Sequence, residues 1–265
     1  MAATYLDAIL DAHRTRARND PRVWQERLGT VRCEGPSFLR ALSPSARSSI
    51  KVIAEVKRRS PSKGWIDEHL DPAVLADAYE RGGASAISVL TDAEHFAGSS
   101  SDVTAVRGAS SLPILRKDFT VCENDVLDAA AMGASAVLLI VAALDDAELR
   151  TFLDLAYELN LDALVEVHDA EEARRASDLG ARIVGVNQRD LRSFEVDSSR
   201  AATVVSALDD AVVRVAESGI VNAHDVEGAA QSGFDAVLVG EALVRSPDPT
   251  ALVREFASVT RTARD

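Results

Sequence analysis

The groups able to do chemistry in this chain recur at one kind of position. In Ile53-Ala-Glu55-Val-Lys57 a carboxylate and an amine stand two residues apart, the spacing that puts both on one face of a strand. Leu115-Arg116-Lys117-Asp118-Phe119, Glu166-Val167-His168, Asn187-Gln188-Arg189-Asp190 and Glu217-Ser218-Gly219 likewise end apolar runs in polar residues. Of 29 basic residues only Lys51, Lys57, Lys63 and Lys117 are lysine, which leaves 25 arginines. Guanidinium keeps its charge at any ordinary pH, whereas an amine can give up a proton. Two of the four lysines, Lys57 and Lys117, belong to the polar set. Burying unpaired charge is costly, so Glu55, Lys57, Lys117, Glu166, Asn187 and Glu217 are expected to meet in one cluster suited to proton transfer. Lys51 opens its strand at the far end and reads as structural. Lys63, in the following loop, reads as a lid or surface residue.

The elements that would gather these groups are legible as alternation. Short β-branched apolar runs occur at 50–57, 84–91, 112–116, 136–141, 162–167, 182–187, 212–217 and 236–240. Between them, segments 71–81, 123–132, 145–159, 169–179 and 223–232 carry helical periodicity. Gly83, Gly133, Gly180 and Gly233 each stand where a helix stops and a strand follows. Strands alternating with helices require parallel pairing through right-handed crossovers, in a closed barrel or an open doubly wound sheet. The first strand lacks the G-x-G-x-x-G loop of the open, dinucleotide-binding version. In a barrel, the active site lies at the C-terminal ends of the strands, where the polar set falls. The loops after strands seven and eight there commonly bind phosphate. Ser218-Gly219 and Gly240-Glu241-Ala242-Leu243 fit that role, with Ser60 adding a hydroxyl; Glu241 is compatible only if its side chain points away. Residues 1–49 read as a helical extension packed on the barrel, with Leu6, Ile9 and Leu10 on one face. The whole of 1–265 is expected to form one domain.

Composition narrows the partners. With 42 acidic against 29 basic residues the net charge is −13, which repels nucleic acid unless a basic patch is localised; no such patch is visible. No apolar run reaches the ~18 residues of a membrane helix. The opening stretch, broken by Asp7, Asp11 and His13, lacks the order of a secretory signal, and a cytoplasmic location is expected. Cys33 and Cys122 have no disulfide or metal-ligand pattern around them. No cofactor and no metal are expected, and a monomer, or at most a weak dimer, is expected.

The segment Ile53-Ala-Glu-Val-Lys-Arg-Arg-Ser-Pro-Ser-Lys-Gly64 resembles the strand-one signature of the indole-3-glycerol phosphate synthases. Ser88-Val-Leu-Thr-Asp92 with His95-Phe96 and Gly98-Ser99, Arg116-Lys-Asp-Phe119, Leu164-Val-Glu-Val-His168, Gly185-Val-Asn187 with Arg189-Asp-Leu191, and Glu217-Ser-Gly-Ile220 resemble later blocks of that family in order. Gln188 stands where an Asn is frequent and Arg59 where a small residue is common. The resemblance implies a (β/α)₈ TIM barrel with an N-terminal helical extension. It also implies conversion of an anionic aryl-amino sugar phosphate, 1-(2-carboxyphenylamino)-1-deoxyribulose 5-phosphate, to indole-3-glycerol phosphate with loss of carbon dioxide and water.

Under that resemblance Lys117 is the acid that polarises the ribulose carbonyl, Glu166 the base for dehydration, and Lys57 the alternative acid or carboxylate anchor. Glu55 fixes an adjacent lysine, and Asn187 and Glu217 hold hydroxyls or the lysine network. Ser60, Ser218, Gly219, Gly240 and Glu241 lie at the phosphate, Arg189 at the substrate carboxylate, and Phe96, Phe119 and Leu138 form the slot for the aryl ring. The loop Ser60–Trp65 is expected to close over ligand. A sugar-phosphate isomerase on the same scaffold would call for a Cys or Asp at the end of strand one, where Glu55 and Lys57 stand. A phosphate sensor would need neither Lys117 nor Glu166.

Overall fold

The computed structural model describes residues 5–44, 49–188, 203–210 and 212–262. Eight parallel strands form a closed barrel in chain order: β1 (Lys51–Val56), β2 (Ala86–Leu90), β3 (Ile114–Lys117), β4 (Ala136–Ile140), β5 (Asp162–Val167), β6 (Ile183–Asn187), β7 (Val213–Glu217) and β8 (Ala236–Val239). Closure is made by β1, which pairs with β2 through Ile53↔Ala86 and with β8 through Lys51↔Ala236.

The period of two along each strand explains both the core and the site. Val52, Ala54 and Val56 face outward and pack with the helices, as do Ile87, Val89, Val137 and Leu139. Ile53, Leu115, Leu138, Leu164, Ile183, Val213 and Leu238 face inward and fill the barrel. Continuing the inward series toward the C-terminal end reaches Glu55 and Lys57, Lys117, Glu166, Asn187, Glu217 and Gly240. Strands β1, β3, β5, β6 and β7 thus switch from apolar filling to polar groups at the mouth, whereas β2 and β4 stay apolar there, ending in Leu90 and Ile140.

The helices are ended and begun by their own sequence. Gly83, Gly133, Gly180 and Gly233 all have positive φ, at 93°, 81°, 89° and 85°. Helix Asp146–Glu158 opens with a reciprocal Asp145–Glu148 capping box, and Ala223–Gln231 with an Asn222–Asp225 box, each satisfying backbone N–H groups that the helix leaves unpaired.

The N-terminal extension serves both ends of the barrel. Helix α1 (Tyr5–Arg18) lies over the C-terminal mouth, where Leu6 and Ile9 line the central cavity. The short helix Phe38–Leu42 closes the opposite end, its Phe38 and Leu42 fully buried with the inward-facing strand residues. After β1 the chain makes a tight antiparallel ribbon, Arg59–Ser60 against Gly64–Trp65. Helical periodicity and loop composition had singled out neither this ribbon nor the mouth-spanning course of α1.

Candidate active site

The polar ends of the strands enclose a cavity of about 660 Å³. Two ion-paired groups organise it. On β1 and just beyond, the Lys57 ammonium donates to Glu55 Oε1. Across the barrel, Lys117 Nζ lies 3.3 Å from Glu217 Oε2 and 3.6 Å from Glu166 Oε2. Asn187 Nδ2 donates to Glu166 Oε1 at 3.2 Å, and Ser218 Oγ donates to Asn187 Oδ1 at 2.9 Å. Strand register brings these groups level: Asn187 pairs with Glu217, and Ile140 with Glu166. Two glycines make room for the carboxylates. A Cβ on Gly185 would overlap Glu217 Oε1, and one on Gly240 would overlap Glu55 Oε1.

Three carboxyls in one buried site cannot all ionise freely. Glu55, Glu166 and Glu217 are 3%, 3% and 2% exposed. Burial pushes the Glu217 carboxyl up to about 8, and the nearby charges of Glu166 and Glu55 reinforce it against the pull of Lys117. Burial acts on Glu166 in the same sense, but Lys117, His168 and the Asn187 amide outweigh it and hold its pKa below the usual carboxylate value. Glu55 is held low, against its burial, by Lys57 and Lys117. Burial opposes the charged form of Lys117, yet Glu217, Glu166 and Glu55 together raise its pKa well above that of a free lysine. At neutral pH the ring therefore contains an ionised Glu166, a protonated Lys117 and a protonated Glu217 side by side. A ready base and two proton donors of different strength share one site.

The apolar wall faces this ring. Phe96 and Phe119 lie with centroids 6.4 Å apart at 41°, and Leu90, Leu138 and Ile140 continue the surface. Leu6 and Ile9 complete it from α1, which is pinned to the mouth. His13 Nε2 lies 2.9 Å from Asp92 Oδ2 in a pair whose members are both 4% exposed, and the His13 ring packs 5.2 Å from Phe119. Arg16 Nη2 lies 2.9 Å from His13 Nδ1. A guanidinium only donates, so Nδ1 is the acceptor and Nε2–H donates to Asp92. Arg14 binds Glu148 at 2.7 and 3.0 Å. Sequence reasoning missed this clamp, because contacts spanning 79 and 134 residues leave no local spacing to detect.

At the other side of the cavity the turn after β7 is unusual: Ser218 and Gly219 are consecutive positive-φ residues, at 67° and 80°. For a serine that conformation is strained and concentrates at functional turns. Gly240 immediately precedes the helix Glu241–Val244, whose first N–H groups have no intrahelical partner. Glu241 turns its carboxylate onto Arg245 Nε at 3.1 Å, which answers the charge conflict its position raised. The ribbon brings Ser60 and Lys63 to the cavity wall, and Arg59 stacks 5.7 Å over Trp65.

The predicted residues Glu55, Lys57, Ser60, Phe96, Lys117, Phe119, Leu138, Glu166, Asn187, Glu217, Ser218, Gly219, Gly240 and Glu241 all line the one cavity. Arg189 lies outside the described residues. Among the described residues, one trio with metal-compatible spacing, His13, Asp92 and Asp118, has its ligand atoms within 4.8 Å of one another. Its atoms are already engaged: Asp118 accepts from Arg116 at 2.8 Å and from Thr91 at 2.5 Å, and Asp92 from His13.

A family model described as indole-3-glycerol phosphate synthase matches residues 11–256. A protein of that name from Micrococcus luteus is 54% identical over 217 residues, covering 82% of this chain and 81% of its own. One of the same name from Mycobacterium ulcerans is 46% identical over 257 residues, covering 97% and 94%. Among solved structures, a thiamine phosphate pyrophosphorylase from Pyrococcus furiosus superposes with a TM-score of 0.60 at 19% identity, over 78% of this chain and 93% of that one. A 3-hexulose-6-phosphate synthase gives 0.59 at 18%, over 79% and 99%; both likenesses concern the fold alone. A match across nearly the whole barrel and close relatives along most of its length establish that this chain belongs to the indole-3-glycerol phosphate synthase family.

Proposed function

We propose that the polar ring performs the family's reaction with Lys117 as the acid of ring closure and Glu166 as the base of dehydration. The enzyme is a carboxy-lyase of tryptophan biosynthesis: 1-(2-carboxyphenylamino)-1-deoxyribulose 5-phosphate becomes indole-3-glycerol phosphate, carbon dioxide and water. The observation that carries the residue roles is the contact of one ammonium, Lys117 Nζ, with Glu166 at 3.6 Å and Glu217 at 3.3 Å at the cavity floor.

The chemistry follows from substrate and product. The ring carbon bearing the carboxylate attacks the ribulose carbonyl carbon while Lys117 gives its proton to the oxygen. An ammonium with a raised pKa suits this step, since the group it protonates is developing into an alkoxide. The bond to the carboxylate then breaks, carbon dioxide leaves, and its electron pair restores the aromatic ring. In dehydration the new hydroxyl takes a second proton and departs as water, as Glu166 removes a proton from the carbon next to nitrogen. Glu217, protonated near neutral pH, is the second donor within reach of Glu166 and Lys117.

Lys57, locked to Glu55, anchors the substrate carboxylate or serves as the alternative acid. Asn187 orients Glu166. Phe96, Phe119 and Leu138 take the aryl ring, and Ser60, Ser218, Gly219 and the amides following Gly240 take the phosphate. Arg189 remains the proposed partner of the substrate carboxylate. With a net charge of −13, these local cations and amides are what make an anionic substrate welcome. The chain is proposed to work as one domain with its extension and as a monomer, and the net charge of −13 supports the absence of a nucleic-acid partner. A phosphorylated substrate that does not cross bilayers supports a cytoplasmic site of action.

Glu166→Gln tests the assignment. The amide keeps the hydrogen bond from Asn187 but cannot take a proton, so turnover should fall about 10²- to 10⁴-fold while product binding is retained. Loss of binding with turnover preserved at saturation would remove Glu166 from the chemistry.

A further inference from the structure

The reaction just described does not balance its protons inside the site. Two protons are spent, one on the carbonyl oxygen and one on the departing hydroxyl, and one is recovered from carbon by Glu166. The missing proton corresponds to the carboxylate's charge, which vanishes when carbon dioxide leaves. Each turnover therefore draws one proton from solvent into a ring whose carboxyls are 2–3% exposed.

We propose that His168 is the donor that delivers this proton to Glu166, held in position for it by Glu172. The inference rests on the reading of Glu166 as the base. His168 follows β5 directly, and Glu172 lies four residues on, in the first turn of helix Ala170–Asp178. Glu172 Oε2 accepts the His168 backbone N–H at 2.8 Å and sits 3.1 Å from Nδ1. A carboxylate only accepts, so Nδ1 carries hydrogen and the ring orientation is fixed. That orientation aims Nε2 at Glu166 Oε1, 3.7 Å away. Nε2 is fully buried and makes no hydrogen bond among the described residues. A histidine kept for packing would have this nitrogen satisfied. Here it is left free beside the catalytic carboxylate, at a separation that catalytic contacts commonly shorten only on substrate binding.

The ring meets both environments the task requires. Its side chain is 17% exposed, as is that of Glu172, against 4% for Glu166. The groups facing it are Glu166 on its own strand, Glu172 on the next helix and Glu217 on β7, two strands away. Burial lowers the imidazole's pKa, but these carboxyls outweigh it and raise the value above that of a free histidine. In the proposed transfer the imidazolium's Nε2–H bond breaks and an O–H bond forms on Glu166. The neutral ring keeps its Nδ1 hydrogen toward Glu172, and Nε2, buried while the site is closed, regains a proton from solvent as product leaves. From Glu166 the proton passes to Lys117, 3.6 Å away. His168 is a positioning and supply residue that does not touch the substrate.

The test compares the first turnover with those that follow in His168→Ala. Resting enzyme already holds protons on Lys117 and Glu217, enough for one cycle. With enzyme in excess the single turnover should stay within about two-fold of wild type, while the multiple-turnover rate falls at least about ten-fold. Added imidazole should restore that rate in proportion to its protonated form and leave wild type unaffected. Glu172→Gln, which preserves most packing, should show the same pattern more weakly and provides a second variant should His168→Ala not fold. An unchanged multiple-turnover rate would overturn the proposal. So would equal loss of both rates without an imidazole response, the signature of a structural role. Glu166→Gln is the control: wild-type turnover there would instead discard the base assignment, whatever His168 does.

Discussion

Replacing Lys117 by Arg keeps a positive charge beside Glu166 and removes the proton that can be given away, whereas Lys117→Met removes both. The distance between Lys117 Nζ and Glu166 Oε2 is 3.6 Å. Unit charges at that separation interact by about 4.6 kcal/mol at an effective dielectric of ~20, equivalent to roughly 3.4 pK units. Without the ammonium, Glu166 loses most of what holds its pKa below the usual value, and in a site 3% exposed it takes up a proton at neutral pH. The Met variant thus loses the proposed acid and disables the proposed base. It should also lose roughly 3–5 kcal/mol of stability, less whatever protonation of Glu166 recovers. The Arg variant keeps Glu166 ionised and loses only the acid, so its kcat should fall about 10²- to 10⁴-fold with KM changed little. Initial rates followed by indole fluorescence, alongside urea denaturation of each variant, separate the two. An Arg variant within about ten-fold of wild-type kcat would refute general-acid catalysis by Lys117.

Glu217 holds its proton to about 8 in the folded protein, while an unfolded glutamate ionises near ~4.3. Between those values the folded state binds more protons, so its contribution to stability is complete at low pH and is lost as pH rises through the window. Glu217→Gln should flatten that slope, and denaturation at a series of pH values checks it; an unchanged slope would contradict the raised pKa. Gly185→Ala places a methyl group on Glu217 Oε1 and should cost about 1–3 kcal/mol in stability together with most of the activity, measured by thermal denaturation and initial rates. Trp24 and Trp65 are the two tryptophans, and Trp65 is 47% exposed in the ribbon. In a Trp24→Phe background, saturating product should shift Trp65 emission as the ribbon closes, and an unshifted spectrum would count against closure.

How much of this was readable in advance depends on whether the signal is local. Strand five was expected at 162–167 and spans Asp162–Val167; strand one, expected at 50–57, spans Lys51–Val56. The same parity that fills the barrel with Ile53, Leu164 and Val215 projects Glu55, Glu166 and Glu217 into the cavity. For that reason the meeting of these polar groups was legible from their spacing once the strands are closed into a barrel, while the roles proposed for them came from the family resemblance. The covering of the mouth by Leu6 and Ile9 was not, because it depends on His13 meeting Asp92 across 79 residues. The ribbon at 59–65 was also hidden, being held by Arg59 against Trp65 and the His95 carbonyl, not by periodicity. Protonation states lie further still from sequence. Glu166 and Glu217 are the same residue type at the same strand level, and only their different shares of Lys117, Asn187 and His168 drive their pKa values apart.

Closure of the indole ring by the side chains of this site can be observed directly. Purified protein mixed with 1-(2-carboxyphenylamino)-1-deoxyribulose 5-phosphate, in buffer containing a metal chelator and no nucleotide, should develop indole fluorescence at a rate proportional to enzyme. Saturable binding of that compound with no fluorescence would contradict the account, and would mean that the Lys117, Glu166 and Glu217 cluster serves another reaction.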